Sequence, residues 1–288
     1  MHNTSYEVKN IVGQLMRLYR RSPLHSARVG RVLAGILSHL ILLRKNPTII
    51  KEVDNTKFEL DLREVIDSSI YFSGTFEEDV EKNIHSLVKP GMCVLDIGAN
   101  VGYHTFRMSK LTRPSGQVYA IEPTSWAYRR LIRNASLNPD LNNIIFSQLG
   151  LSNADTGTVP VQFQSSYRLD GKQQSTTENI ELITLDTYLE REGITKLDFI
   201  KLDVDGFEGK VLQGASKSLN KMRPIILMEL NPSTMLENDD DPDVMVQILM
   251  QAGYRFETSH GQPIKDLSKY WLENTNTSTM LLATPTNS

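Results

Sequence analysis

The stretch Val94-Leu95-Asp96-Ile97-Gly98-Ala99-Asn100-Val101-Gly102-Tyr103 decides the fold, because it reads as a buried strand that runs into a small-residue turn and then into a helix. In an open α/β sheet, ligands bind at the carboxyl ends of the strands. Glycines there let the backbone approach the ligand, and the next helix offers free N–H groups. Asp96 closes the strand, so we expect its carboxylate to face this crevice.

The glycine spacing in this turn separates two classes of ligand. A dinucleotide fold requires G-x-G-x-x-G and an acid roughly 20 residues later, whereas this turn holds only Gly98 and Gly102. An acid in front of the turn instead suits a ligand with an ammonium group, which a carboxylate can hold. S-adenosylmethionine is such a ligand, and a nicotinamide oxidoreductase is the weakest alternative.

Outward from this stretch, the chain repeats a pattern of strand, Gly-rich or acidic turn, and helix. This pattern predicts a mostly parallel sheet with helices on both faces. The predicted strands are 93–97, 117–121, 143–149, 197–204 and 224–230, with an antiparallel edge at 254–258 and 279–284. The predicted helices are 103–111, 125–137, 207–220 and 243–252. The polar stretch 150–181 predicts a β insertion near the substrate side.

The residues before this sheet predict two further segments. Apolar residues recur at helical spacing up to about residue 43, alternation in 48–72 predicts a hairpin, and 77–88 reads as a helix. We therefore divide the chain into a basic helical extension (1–50), a β-hairpin and cover segment (51–89) and a ligand-binding domain (90–288).

Charge is unevenly distributed along the chain. Residues 1–51 carry nine Lys or Arg and one acid, Glu7, a net charge of +8, which leaves −11 for the rest of a chain whose total is −3. The basic helices suit weak contact with an anionic membrane surface, a nucleic acid or an acidic neighbour, or simply a solvated face. Their apolar residues pack inward or onto a second subunit, which is compatible with a homo-oligomer.

Composition bounds the class of protein. With 40% hydrophobic and 23% charged residues, the chain is globular. The single Cys93 excludes an intrachain disulfide framework and a cysteine-rich zinc site and fits a reducing compartment. The longest apolar stretch, 32–43, is shorter than the roughly 20 residues of a spanning helix, and no secretory signal is evident. We therefore expect a cytoplasmic protein.

A second acid follows the next predicted strand. Glu122-Pro123 ends that strand, 26 positions after Asp96. A carboxylate at this place accepts hydrogen bonds from the ribose hydroxyls of a nucleoside cofactor. A surface acid that caps the following helix is the structural alternative.

A third block of charged residues lies on the strand predicted at 197–204. By strand alternation Lys201, Asp203 and Asp205 share one side, so Asp203 reaches the same crevice. A lysine and an aspartate in an apolar strand are costly unless they are paired or functional. The structural alternative is a buried ion pair of Lys201 with Asp203 or Glu229.

Together these motifs resemble the FkbM-type S-adenosylmethionine-dependent methyltransferases over roughly residues 57–283. The likeness is carried by D-I-G-A-N-V-G-Y-H-T at 96–105, A-I-E-P at 120–123, G-L-S-N at 150–153, T-L-D-T-Y-L at 184–189 and I-K-L-D-V-D-G-F-E-G-K-V-L-Q-G-A at 200–215. The run 71–77, which ends at Glu77, looks like the family's lead-in that folds over the cofactor. Asp205 stands where the family commonly has Glu.

The resemblance implies an α/β fold with a seven-stranded Rossmann-like methyltransferase sheet, S-adenosylmethionine as methyl donor, and a sugar, glycan or natural-product hydroxyl as acceptor. The residues expected to bind the cofactor are Glu77, Asp96, Gly98, Asn100, Gly102, Glu122 and Pro123. Asp203 is the first candidate for the base that deprotonates the hydroxyl and Glu229 the second. Lys201 would orient the acceptor or tune Asp203, whereas His104 is expected to cap or pack.

Three other functions remain open at this point. A magnesium-dependent O-methyltransferase would use Asp203, Asp205 and Glu229 or Asn231 as oxygen ligands, although we assign no metal. A non-catalytic S-adenosylmethionine-binding module would bind the cofactor without turnover. A nucleic-acid methyltransferase is disfavoured, since the N-P-P-Y-like turn is missing after the fourth strand and the −11 body repels phosphate.

Overall fold

The computed structural model describes residues 47–164 and 175–286. The chain divides into two compact units, which we call the hairpin unit (Met1–Glu78 with Gln162–Thr176) and the sheet unit (Asp79–Val161 with Thr177–Ser288). The basic helices predicted within residues 1–50 lie, up to residue 46, outside the described residues.

The hairpin unit contains the hairpin predicted within residues 48–72. Strands β1 (Thr48–Val53) and β2 (Thr56–Asp61) pair antiparallel through a turn at Asp54 and Asn55, which both have positive φ, as a tight hairpin turn requires. The rest of the predicted β region is instead helical, since α1 spans Val65–Ser73. Helix α1 ends where Gly74 adopts the left-handed conformation.

The other elements follow along the chain. The helices are α2 (Glu78–Leu87), α3 (Tyr103–Thr112), α4 (Ser125–Ser136), α5 (Leu185–Arg191), α6 (Glu208–Gln213), α7 (Ser216–Met222), α8 (Pro232–Glu237), α9 (Pro242–Gln251) and α10 (Leu267–Glu273). The strands are β3 (Cys93–Ile97), β4 (Gln117–Ile121), β5 (Ile144–Ser147), β6 (Gly150–Leu151), β7 (Gly157–Gln164), β8 (Ser175–Ile183), β9 (Phe199–Leu202), β10 (Ile225–Leu230), β11 (Tyr254–Thr258), β12 (Pro263–Ile264) and β13 (Thr279–Pro285).

The main sheet confirms the predicted Rossmann-like architecture. Its strand order is β12-β11-β13-β10-β9-β3-β4-β5. The pairs β5-β4, β4-β3, β3-β9 and β9-β10 are parallel, whereas β13 runs antiparallel to both β10 and β11. The strand count differs from the predicted seven because a two-residue strand, β12, pairs with the edge strand β11.

The sheet is buried on both faces, as its apolar strands predict. Ile200 and Leu202 of β9 belong to one hydrophobic cluster, whereas Phe199 belongs to another. Lys201 alternates with Ile200 and Leu202 and therefore shares the face of Phe199. Within residues 47–164 and 175–286, no helix has both the length and the apolar character needed to cross a membrane.

The helix predicted at 207–220 is two helices, α6 and α7, separated at Gly214. A Cβ on Gly214 would lie 2.2 Å from the carbonyl oxygen of Ser152, so the backbone of another segment packs against this position. Such a close approach is a tertiary contact, which the local helical pattern does not encode.

The predicted β insertion is present as a three-stranded sheet of order β6-β8-β7, with β6 parallel to β8. Thr184, next after β8, accepts a hydrogen bond from the Thr187 N–H and begins helix α5. The expectation that this insertion lies near the substrate stays a prediction.

Candidate active site

Asp96 lies at the carboxyl end of β3, next to last in the strand. Its side chain is buried, and Oδ2 accepts a hydrogen bond of 2.5 Å from Thr105 Oγ1 at the start of α3. Oδ1 is buried without a hydrogen-bond partner in the described part of the chain and lies 3.9 Å from Lys201 Nζ. An unpaired buried carboxylate oxygen is costly, so it marks a place where a donor is missing.

Gly98 brings the turn after β3 against the end of β9. Its φ is +82°, and a Cβ there would lie 1.8 Å from the carbonyl oxygen of Asp203. A backbone oxygen cannot move aside, so only glycine fits. Gly102 also has a positive φ, but its Cβ would meet side-chain atoms of Leu131 and Phe106, which shows packing within the fold.

Glu122, directly after β4, binds the turn that follows β3. Its Oε2 accepts a hydrogen bond from the Asn100 N–H at 2.9 Å, and Oε1 accepts from Thr124 N–H at 3.0 Å and Thr124 Oγ1 at 2.6 Å. Burial raises the pKa of Glu122, although these hydrogen bonds oppose that effect. Three of about four acceptor positions on the carboxylate are filled. About one acceptor position is left for a ligand. The side-chain oxygen of Asn100, Oδ1, is also buried and has no partner within residues 47–164 and 175–286.

Lys201 joins two of the predicted acids. Its Nζ donates to Asp203 Oδ2 at 2.9 Å and lies 3.9 Å from Asp96 Oδ1. The Lys201 and Asp96 side chains are 3% and 1% exposed, whereas that of Asp203 is 25% exposed. The ion pair of Lys201 with Asp203, which the sequence offered as a structural alternative, is therefore present. Of its two members, Asp203 is the one that solvent and ligands can reach.

The strand that carries this pair is shorter than predicted. β9 ends at Leu202, so the alternation argument does not extend to Asp205, which has φ +52° in the following turn. In the turn that follows, the Val204 and Gly206 N–H groups donate to Glu208 Oε1 at 2.9 and 3.4 Å. Asp203 itself still donates its N–H to the Ile97 carbonyl oxygen of β3 at 3.1 Å, and the turn begins directly after it.

Residues 234–240 hold this turn in place through hydrogen bonds and close packing. Asn238 Nδ2 donates to the Asp205 carbonyl oxygen at 2.9 Å, and buried Asp240 accepts the Lys210 N–H at 3.1 Å. A Cβ on Gly206 would lie 2.7 Å from the Thr234 backbone. The turn and the start of α6 are therefore fixed in position.

Glu229 lies on β10 on the same sheet face as Lys201. Leu227 pairs with Lys201, and Glu229 follows two residues later, so its side chain points to the same face near the carboxyl end. Glu229 Oε1 accepts a hydrogen bond from Ser278 Oγ. Asn231 caps α8 through its side chain. In the described residues, no group of three His, Cys, Asp or Glu side chains is arranged to hold a metal ion.

Glu77, Pro123 and His104 are the remaining residues that the sequence singled out. Glu77 belongs to the hairpin unit and has φ +50°. Pro123 follows β4 and packs near Gly150: a Cβ added to Gly150 would lie 3.8 Å from the Pro123 Cβ. His104 is buried on α3 with its ring edge-on to Tyr103, as expected for a packing residue.

Sequence reasoning assigned no role to Thr105 or Glu208, which bind Asp96 and the Asp203 turn. Both lie in the quoted motifs, Thr105 near the start of α3 and Glu208 at the start of α6. An acid two residues after Gly206 was the available signal, but only the fold shows that its side chain turns back onto the preceding backbone.

Residues 96–256, more than half of the chain, match the family model described as the methyltransferase FkbM domain. Together with the Rossmann-like sheet, this match defines the class: the protein is an S-adenosylmethionine-dependent methyltransferase, and its cofactor is S-adenosylmethionine. Within that class, the chain belongs to the FkbM family.

Three relatives show where the similarity lies. Methyltransferase SdnD of Sordaria araneosa is 25% identical over 175 residues, 49% of this chain and 67% of the relative. Hexuronic acid methyltransferase AglP of Haloferax volcanii is 25% identical over 179 residues, 61% of this chain and 69% of the relative. 2-O-methyltransferase NoeI of Sinorhizobium fredii is 29% identical over 169 residues, 50% of this chain and 66% of the relative.

Proposed function

We propose that this protein transfers a methyl group from S-adenosylmethionine to a hydroxyl group of a sugar or glycan. The observation that carries the proposal is the partly exposed carboxylate of Asp203, oriented by buried Lys201 at the carboxyl end of the sheet. A hydroxyl acceptor needs such a group, because an alcohol is a poor nucleophile until its proton is being removed. AglP is named a hexuronic acid methyltransferase, which favours a sugar acceptor, and NoeI is named a 2-O-methyltransferase, which favours an oxygen as the methylated atom.

The residues around the turn after β3 fit the cofactor. S-adenosylmethionine presents an ammonium group and two ribose hydroxyls, all hydrogen-bond donors. The buried oxygens without a partner in the described chain, Asp96 Oδ1 and Asn100 Oδ1, are acceptors, and Glu122 keeps one acceptor position open. We assign the ammonium to Asp96 and the ribose to Glu122, with Gly98 and Gly102 shaping the turn. Glu77 and Pro123 remain predicted cofactor contacts.

The protein's own part in the reaction is alignment and proton removal. S-adenosylmethionine supplies an activated methyl group, and in-line displacement needs little covalent help from the protein. Asp203 would accept the proton of the acceptor hydroxyl as the oxygen–methyl bond forms; the sulfur–methyl bond would break with its electron pair left on sulfur, so that S-adenosylhomocysteine leaves. Lys201 holds the Asp203 carboxylate in one orientation, and Glu229 is the alternative base on the neighbouring strand.

We predict that Glu122→Ala weakens binding of S-adenosylmethionine by about 1.5–3 kcal/mol, the usual contribution of a hydrogen bond to a charged group. Isothermal calorimetry measures the change. The matched control is Thr124→Val, which removes the hydrogen bond to Oε1 from Thr124 Oγ1 but keeps the carboxylate. Equal losses in both variants, or unchanged affinity in Glu122→Ala, would remove Glu122 from the ribose site.

The lead-in 71–77, expected to cover the cofactor, gives a second prediction. Gly74 lies between helix α1 and Glu77, and its left-handed conformation ends the helix, so the chain changes direction within this segment. Amide hydrogen exchange in residues 71–77 should slow when S-adenosylmethionine is added, because a closed cover excludes water. Equal exchange with and without the cofactor would contradict the cover.

A transfer assay tests the proposed function. Methyl-labelled S-adenosylmethionine is offered with free hexuronic acids, with neutral hexoses, with oligosaccharides and with a small-molecule extract, and the labelled product is identified by mass. A methyl ether on a sugar is the expected product. Activity lost with EDTA and restored by magnesium would favour the metal-dependent alternative, and cofactor binding without any labelled product would favour the non-catalytic one.

A further inference from the structure

Glu208 is a buried acid beside the site that the mechanism above does not use. It is the first residue of α6, has no exposed surface and directly follows the turn that carries Asp203. Its Oε1 accepts the Val204 and Gly206 N–H groups of that turn. Glu208 therefore links the residues directly after Asp203 to the start of a helix that is itself anchored by Asp240, while β3 binds the Asp203 N–H through the Ile97 carbonyl oxygen.

The second oxygen of this carboxyl group lies in a different environment. Oε2 is buried and has no hydrogen-bond partner in residues 47–164 and 175–286. A buried charge in such a place is far more costly than a neutral acid. Burial, with the nearby carboxylates of Glu229 and Asp203, raises the pKa of Glu208 to about 8, although the Val204 N–H opposes the shift.

The charges around Glu208 are mostly negative. Asp203 on the turn and Glu229 on β10 act directly on its carboxyl group. Adjoining elements contribute further charged groups, namely Lys201, Asp205, Lys210 and Asp240. Ionisation of Glu208 would add a negative charge to a region in which Lys201 already pairs with Asp203.

We infer that Glu208 is a positioning residue of the methyl-transfer site, which in its neutral form holds the turn that aims Asp203 at the acceptor hydroxyl. The inference rests on the proposed function of Asp203. The carbonyl oxygen of the neutral acid accepts both turn N–H groups, and the protonated oxygen adds no charge beside the base. Ionisation would add repulsion against Asp203 and Glu229 and disturb the turn.

Unfolding as a function of pH tests the neutral form without any acceptor. Because the folded chain binds the Glu208 proton more tightly than the unfolded chain, the stability due to Glu208 is fully present below the ordinary pKa of 4.5 and is lost as pH rises towards 8. The unfolding constant of the wild type should therefore rise, relative to Glu208→Gln, by up to about tenfold per pH unit between pH 5 and 8. Glu237→Gln, at an exposed glutamate of α8, is the control and should follow the wild type.

Turnover tests the positioning role. At pH 7, Glu208→Gln should keep kcat within about threefold, since glutamine keeps the carbonyl acceptor, whereas Glu208→Ala should lose about tenfold or more. KM for S-adenosylmethionine should stay within about twofold in both. Above pH 8 the wild-type kcat should fall, and that of Glu208→Gln should not.

Each outcome decides the inference. Coincident pH curves for wild type and Glu208→Gln, in unfolding or in kcat, would overturn it, as would a glutamine variant as impaired as the alanine variant. If Glu208→Ala does not fold, the comparison of wild type with Glu208→Gln still decides. If neither the wild type nor any variant turns over but the pH-dependent difference in unfolding is present, the proposed function and the positioning role of Glu208 both fail. The neutral form of Glu208 in the folded protein would still be established.

Discussion

Replacing Asp203 by asparagine should lower the rate of methyl transfer by about 10²–10⁴-fold, the usual contribution of a general base, with little change in affinity for S-adenosylmethionine. Asparagine keeps the size of the side chain and can still accept the hydrogen bond from Lys201 Nζ. It cannot accept the proton of the hydroxyl. Single-turnover rates and calorimetry on the same preparation separate the two quantities.

The matched control is Asp140→Asn, at an aspartate whose side chain is 70% exposed in the loop before β5. It should leave rate, affinity and melting temperature unchanged. If Asp203→Asn instead melts far below the parent and loses binding and activity together, Asp203 is a structural partner of Lys201. The base would then have to be sought at Glu229.

The second large effect is expected from Gly98→Ala, which should abolish cofactor binding and destabilise the fold. The added Cβ would lie 1.8 Å from the Asp203 carbonyl oxygen, so β3 and the end of β9 would have to separate. Overpacking of this kind costs about 1–3 kcal/mol, and the positive φ adds about 1–3 kcal/mol. Urea unfolding and calorimetry measure both consequences.

Gly193→Ala is the control for backbone strain alone. Gly193 also has a positive φ, +65°, but nothing lies within 4 Å of the position of its Cβ. It should lose only the contribution from backbone strain and should bind the cofactor normally. Equal stability losses in the two alanine variants, with normal binding in Gly98→Ala, would contradict the close approach of Asp203.

Local patterns were sufficient to predict the sheet. The strands 93–97 and 117–121 have the predicted bounds, because apolar runs bounded by Gly-rich or acidic turns encode them directly. The division between α6 and α7 and the edge strand β12 were not predictable. Both depend on distant contacts, such as the Ser152 carbonyl oxygen against Gly214.

Local patterns also predicted some of the site residues correctly, whereas others depend on tertiary contacts. Asp96, Glu122 and Lys201 were placed at strand ends by strand counting and alternation, and they lie there. Asp205 was misplaced because alternation was extended past the end of β9. Glu208 was not assigned, since its burial arises from the turn folding back on α6. The cytoplasmic location, the membrane contact of residues 1–50 and the oligomeric state stay predictions.

The contacts between residues 234–240 and the turn after Asp203 limit how the protein can be re-engineered. The two segments come from either side of β10, yet Asn238, Asp240 and the Gly206 contact join them into one piece. A chimera that exchanged only residues 203–210 with another family member would leave that piece mismatched. A chimera designed to accept a different substrate therefore has to exchange residues 203–210 and 234–240 together. The strand between them, β10, can be kept or exchanged with them.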